Sequence, residues 1–167
     1  MFDCFPDTRL IIVAREPEPT IFSVLSRWVF GDSRDGDIDL EQLDQRIREL
    51  ADSWNVQYSN LYSLSRKYPA SSLLLRYEDL GSPQTYEEIS GFFRTSGFEY
   101  KSRLRRVHDA SNKTSPTAAL IRQRIEALQP EITAATLHVR TTFGYAAQRT
   151  PWRTSPVLLG RRVTFSF

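Results

Sequence analysis

The sequence predicts an α/β fold, a short parallel sheet flanked by helices, and three observations carry that expectation. Leu10–Val13 is a short continuously apolar run, as a strand of a parallel sheet buried on both faces is, and Ser72–Tyr77 (SLLLRY) reads as a second buried strand. Between them Leu40, Leu43, Ile47, Leu50, Trp54, Tyr58, Leu61 and Leu64 recur at intervals of three and four, the stripe of an amphipathic helix. A long helical connection between two strands is what a parallel crossover requires.

Taken in order, Thr8–Ala14 (TRLIIVA) is the first strand. Arg15-Glu16-Pro17 and Pro19 end it and open a turn, after which Thr20 is expected to cap a short helix through Trp28. Gly31–Asp37 is a polar loop, and Asp37 or Asp39 caps the long helix, which Tyr68-Pro69 ends. After the second strand, Glu78–Pro83 turns the chain. Thr85 and Glu88 have the spacing of a capping box for a helix with Ile89, Phe92 and Phe93 on its apolar face. Residues 97–111 are basic and weakly patterned. Ser115-Pro116 pairs a cap with a first-turn proline ahead of Leu120, Ile121, Ile125 and Leu128, and a last helix over Glu131–Phe143 stops at Gly144. We expect one domain over residues 1–145 and a tail over 146–167, whose end, Arg161–Phe167, alternates weakly like a strand. Two parallel strands are too few for a stable sheet, so we expect further strands from before Met1 or from another chain.

Composition excludes several classes of function. One cysteine, Cys4, allows no internal disulfide and no cysteine cluster for zinc. His108 and His138 stand far apart, so no metal site is expected. No apolar run is long enough to span a bilayer, and Met1–Pro6 is not a secretory start, which leads us to expect a soluble protein, cytoplasmic if the chain is complete. The net charge of +2 conceals an asymmetry: residues 1–100 carry 10 Lys+Arg and 17 Asp+Glu, residues 101–167 carry 12 and 3. The basic half suits an anion, whether a nucleotide phosphate, an acidic or sulfated substrate, or a nucleic acid, and equally a solvated surface.

Arg15 follows the carboxyl end of a parallel strand, where α/β folds bind ligands, and Ser23 stands eight residues on, which places it early in the next helix by this reading. A guanidinium fork and a hydroxyl at a helix start would clamp a phosphate. Strand, Arg15-Glu16-Pro17 and Ser23 resemble the 3′-phosphate-binding motif of sulfotransferases that use 3′-phosphoadenosine 5′-phosphosulfate (PAPS). Leu73–Leu80 (LLLRYEDL), followed by Pro83–Phe93, resembles a second strand and turn of that family; Trp54–Tyr68 is similar to the helix before it, and Ile132–Tyr145 to the closing helix with its Gly-Tyr end. The resemblance spans residues 8–145, the later part of the family's fold, which is related to that of the P-loop NTPases.

The resemblance implies transfer of a sulfuryl group from PAPS, the co-substrate, to a hydroxyl or amine. It places Arg15 and Ser23 on the 3′-phosphate, Tyr77 beside the adenine and Lys113 in a late basic loop. Glu78 and Asp79 are expected to be structural residues bonding backbone amides of the turn, and Arg105 and Arg106 are alternative anion contacts, with surface charge the favoured reading. The family's loop for the 5′-phosphosulfate has no counterpart in the chain, and its general base lies upstream of the Arg15 motif, a position His108 does not match. No catalytic residue is therefore assigned. Three readings stay open: a carboxy-terminal portion of a sulfotransferase, truncated ahead of residue 1; a relative that binds an adenosine phosphate or a partner without catalysis; and a basic anion- or nucleic-acid-binding module. The balance is against a nucleic-acid partner, because Tyr100, Tyr145 and Trp152, which suit base stacking, suit core packing better.

Overall fold

The computed structural model describes residues 8–29, 38–94 and 115–145, with the side chains of Trp28 and Val29 excepted. The order of elements is β1 (Leu10–Ala14), α1 (Pro17–Val24), a wider turn of π type (Leu25–Val29), α2 (Leu40–Lys67), β2 (Ser72–Arg76), α3 (Pro83–Phe93), α4 (Pro116–Ala127) and α5 (Gln129–Thr142). Among the described residues the protein is mostly helical with a short two-stranded parallel sheet, so α/β in character. It divides into two compact units: described residues 8–15 and 60–94 form one, and 16–29, 38–59 and 115–145 the other. The 146–167 tail lies outside the described residues.

The first unit holds the sheet. β1 and β2 pair in parallel from Leu10 opposite Ser72 to Ala14 opposite Arg76. Burial on both faces, expected from the apolar runs, is not what the strands show. Ile12 and Ala14, which share one face of β1, are buried, whereas Ile11 and Val13 on the other are only partly so; in β2 only Leu75 is buried. Burial of both faces needs a layer on each, and α3, packed on β2, is the one described helix of this unit besides the end of α2. α3 starts three residues before the Thr85/Glu88 box that the spacing suggested. Ser82 is its cap, its Oγ accepting from the Thr85 N–H at 3.1 Å, with Pro83 in the first helical position, where its missing N–H costs nothing. The helix ends on Arg94, which takes the left-handed conformation (φ 53°) usually left to glycine.

The second unit holds the larger apolar core. Ile21, Phe22 and Leu25 from α1 and its extension meet Leu43, Ile47 and Ala51 of α2, Ala118, Ile121 and Ile125 of α4, and Leu128 and Ile132 at the α4–α5 corner. Each buried Ile, Leu or Phe among them contributes about 1.5–3 kcal/mol by leaving water, the alanines less. The α2 stripe is confirmed with one exception, Leu40, which is exposed at the helix start. Of the two candidate caps for α2, Asp39 acts: its Oδ1 accepts from the Glu41 N–H at 2.9 Å. Ser115 caps α4 as expected, accepting from Ala118 N–H at 3.2 Å. α5 begins two residues earlier than expected and ends in a Schellman turn: Gly144 (φ 73°) donates to Thr141 O at 3.1 Å, and Tyr145, buried, donates to Arg140 O at 2.8 Å.

α1 corrects the reading of the two prolines. Pro17 and Pro19 do not precede the helix but form its first turn, and Thr20 is not its cap. A proline is compatible there because the first N–H groups of a helix have no partner within it. Thr20 instead donates its hydroxyl back to Glu16 O at 2.8 Å. Two long-range ion pairs then tie the helices of this unit, Arg124 with Asp44 and Arg48 with Glu131. A third is fully buried, Arg140 of α5 with Glu18 of α1.

Candidate functional site

The carboxyl ends of β1 and β2 bring two of the four candidate ligand residues together. The last ladder pair is Ala14 opposite Arg76, and the residues that follow the two strands, Arg15 and Tyr77, meet through their side chains. The Arg15 guanidinium carbon lies 4.8 Å from the centroid of the Tyr77 ring, within cation–π range. Tyr77 remains 37% exposed, and Arg15 is partly buried. A guanidinium over an aromatic face keeps its charge and its N–H edge, because stacking uses the plane of the group and hydrogen bonding uses the rim. The pair therefore sets a cation against a flat aromatic surface at the place where parallel sheets hold ligands.

Asp79 acts differently from the expectation that it bonds backbone amides of the turn. Asp79 accepts from the side chain of Arg76, from Nε at 2.7 Å and Nη2 at 3.0 Å. That hydrogen bonding holds the Asp79 carboxyl below the ordinary aspartate range. Glu78 is exposed. The short 3₁₀ turn Tyr77–Asp79 is joined to the start of α3 by Leu80 N–H to Tyr77 O at 3.3 Å and Ser82 N–H to Asp79 O at 2.9 Å.

Ser23 is not where its spacing suggested. It is the seventh of the eight residues of α1, beyond the first turn, so the positive end of the helix is not aimed from its position. The start of α1 is itself a poor anion cradle. Pro17 and Pro19 have no N–H, Thr20 N–H bonds Glu16 O at 3.3 Å, and the first turn carries the Glu18 carboxylate. Arg15 belongs to the first unit and Ser23 to the second. Lys113, Arg105, Arg106, His108 and Cys4 lie outside the described residues.

The buried Glu18–Arg140 pair has no signal in the local sequence. Glu18 is 4% exposed and Arg140 2%, and Arg140 Nε also donates to Thr136 Oγ1 at 2.8 Å, while Gln129 Nε2 donates to Glu18 at 2.6 Å. The two residues are 122 positions apart, and no local pattern joins them. Every charge in this cluster is matched inside it, which makes it a tie between α1 and α5 rather than a ligand site.

Among the described residues no group of His, Cys, Asp and Glu could hold a metal ion, and no helix is long and apolar enough to cross a membrane. Compared with models of protein families, with curated proteins and with solved structures, the chain matches none.

Proposed function

We propose that the protein is a sulfotransferase-like nucleotide binder, with Arg15 on the 3′-phosphate of PAPS or of its product adenosine 3′,5′-bisphosphate, and Tyr77 beside the adenine. The observation that carries this reading is the Arg15–Tyr77 stack at the carboxyl ends of two paired parallel strands. A 3′-phosphoadenosine has what that stack would recognise: a dianion for the guanidinium rim and a planar base for an aromatic surface. The finer fold proposed with it is that of the sulfotransferases, a relative of the P-loop NTPase fold. The parallel order β1, helix, β2 and the turn after β2 support it. Ser23 and Lys113 match the family's phosphate contacts by sequence resemblance alone, and the proposal for this chain rests on Arg15 and Tyr77.

Binding is the activity proposed for the chain by itself. Sulfuryl transfer from PAPS to a hydroxyl or amine is the reaction of the family it resembles. That reaction needs charge stabilisation on the departing 5′-phosphate and a base on the acceptor, and no segment of this sequence resembles the parts that supply them. Calorimetric titration of adenosine 3′,5′-bisphosphate into the wild-type protein and Arg15→Ala tests the proposal. Micromolar binding weakened about tenfold or more by the substitution, as loss of a charged hydrogen bond entails, supports it. No heat from a wild-type protein shown to be folded by circular dichroism overturns it.

A further inference from the structure

The turn that carries Tyr77 is closed by a side-chain clasp whose geometry exceeds what stability asks of it. Arg76 is the last residue of β2 and Asp79 the last of the 3₁₀ turn, so the two bracket Tyr77 and Glu78. Arg76 gives Asp79 two N–H bonds, Nε to Oδ2 and Nη2 to Oδ1, the bidentate fork. The backbone bond inside the same turn, Leu80 N–H to Tyr77 O, is 3.3 Å and long by comparison. The two side chains are 39% and 45% exposed, and an ion pair so open to solvent adds little to folding. What a planar two-point fork does supply is direction. The residue it directs is Tyr77, and Arg76 is itself held in the ladder opposite Ala14, the residue before Arg15. Clasp, ring and guanidinium thus form one chain of contacts: Asp79 to Arg76, Arg76 along the backbone to Tyr77, Tyr77 to Arg15. The clasp also engages the forked edge of Arg76 with a carboxylate, so that edge is turned to Asp79 and not to a phosphate.

We propose that Arg76 and Asp79 are positioning residues, whose fork holds the Tyr77 ring against the Arg15 guanidinium and sets nucleotide affinity through Tyr77. This rests on the reading of that stack as the nucleotide site. The first arm of the test needs no nucleotide. A guanidinium side chain over a tyrosine face has its δ-methylene protons shifted upfield by the ring current, and this is read by NMR on the free protein, with Tyr77→Leu identifying the Arg15 signals. In Asp79→Ala, and in Arg76→Lys, which keeps the charge but lacks the fork, the upfield shift collapses. A shift that persists in both variants overturns the positioning role, and Arg76→Lys decides the matter should Asp79→Ala fail to fold. The second arm titrates adenosine 3′,5′-bisphosphate. Asp79→Ala weakens binding by no more than Tyr77→Leu does, about three- to tenfold for the loss of one stacking contact, and adds nothing in the Tyr77→Leu background. Additive losses mean that Asp79 acts other than through Tyr77 and contradict the proposal. If the wild-type protein binds no nucleotide, the functional reading and the affinity half of the inference fall, while the NMR arm still decides whether the clasp positions the ring.

Discussion

Replacement of Arg140 by methionine removes the cation from the most enclosed charged pair among the described residues. Glu18 and Arg140 are 4% and 2% exposed, so neither group has water to fall back on. In Arg140→Met the Glu18 carboxylate keeps the Gln129 amide at 2.6 Å but loses its counter-charge, and Thr136 Oγ1 loses its donor. Stranding one member of a buried pair costs about 3–5 kcal/mol, a large share of the roughly 5–15 kcal/mol that holds a domain together. Glu18→Leu strands the guanidinium and has a cost of the same order. The double variant Glu18→Leu/Arg140→Met strands nothing and fills the space with apolar atoms, so its stability lies within about 2 kcal/mol of wild type. Urea unfolding followed by circular dichroism and by tryptophan fluorescence, Trp54 being buried in the same unit, gives the three free energies. An Arg140→Met cost below about 1 kcal/mol, or a double variant as unstable as the sum of the singles, would falsify the view that the two charges are mutually dependent.

Three further outcomes concern the termini of helices and the ion pairs. Arg94→Gly raises stability by about 0.5–1 kcal/mol, because glycine takes the left-handed turn after α3 without the steric cost of a Cβ; an unchanged or lower urea midpoint contradicts this. Ser115→Ala costs about 1 kcal/mol by taking the cap from the Ala118 N–H, whereas Ser115→Asn, which keeps an acceptor, costs markedly less; equal losses in the same unfolding assay tell against a capping role. The Arg124 hydrogen bond holds the Asp44 carboxyl below its ordinary value. Above the ordinary aspartate range both folded and unfolded chains are ionised and the stabilisation is complete. As the pH falls below about 4 the unfolded chain takes up the proton first and the stabilisation drains away, until Asp44 is protonated in the folded state too. Asp44→Asn therefore flattens the acid limb of a plot of urea midpoint against pH, and an acid limb identical to that of wild type shows that Asp44 has no part in it.

What was legible in the sequence is what local periodicity encodes. Both strands, the long stripe through Trp54, the Ser115-Pro116 start and the Gly144 stop are each decided within one or two turns of chain, and the structure has them within a few residues. The misread positions are those where two local rules competed. Pro17 and Pro19 satisfy a turn and also a first helical turn, and the helix prevails because it leaves no extra N–H unpaired. Ser82-Pro83 and Thr85/Glu88 both look like helix starts, and the earlier one acts, with Thr85 as its donor. How deeply β1 and β2 are buried depends on the layers around them, which an apolar run does not count. The Glu18–Arg140 pair depends on the packing of α1 against α5, and its 122-residue separation hides it.

For the candidate site, Arg15 and Tyr77 were legible as strand-end residues, and each directly follows the last ladder pair, Ala14 opposite Arg76. The fork between Arg76 and Asp79 is present in the sequence as opposite charges three apart, a pattern that does not tell a side-chain partner from a backbone amide. Ser23 was misplaced along α1 because the helix begins at Pro17 and not at Thr20.

Whether Arg15 reads a 3′-phosphate is decided by the ratio of affinities for adenosine 3′,5′-bisphosphate and adenosine 5′-monophosphate, taken by calorimetry in wild type and in Arg15→Ala. Wild type is expected to prefer the bisphosphate by about tenfold or more, and the preference to shrink to near unity in the variant. Equal affinity for the two nucleotides in wild type, or a preference that survives in Arg15→Ala, would contradict that role.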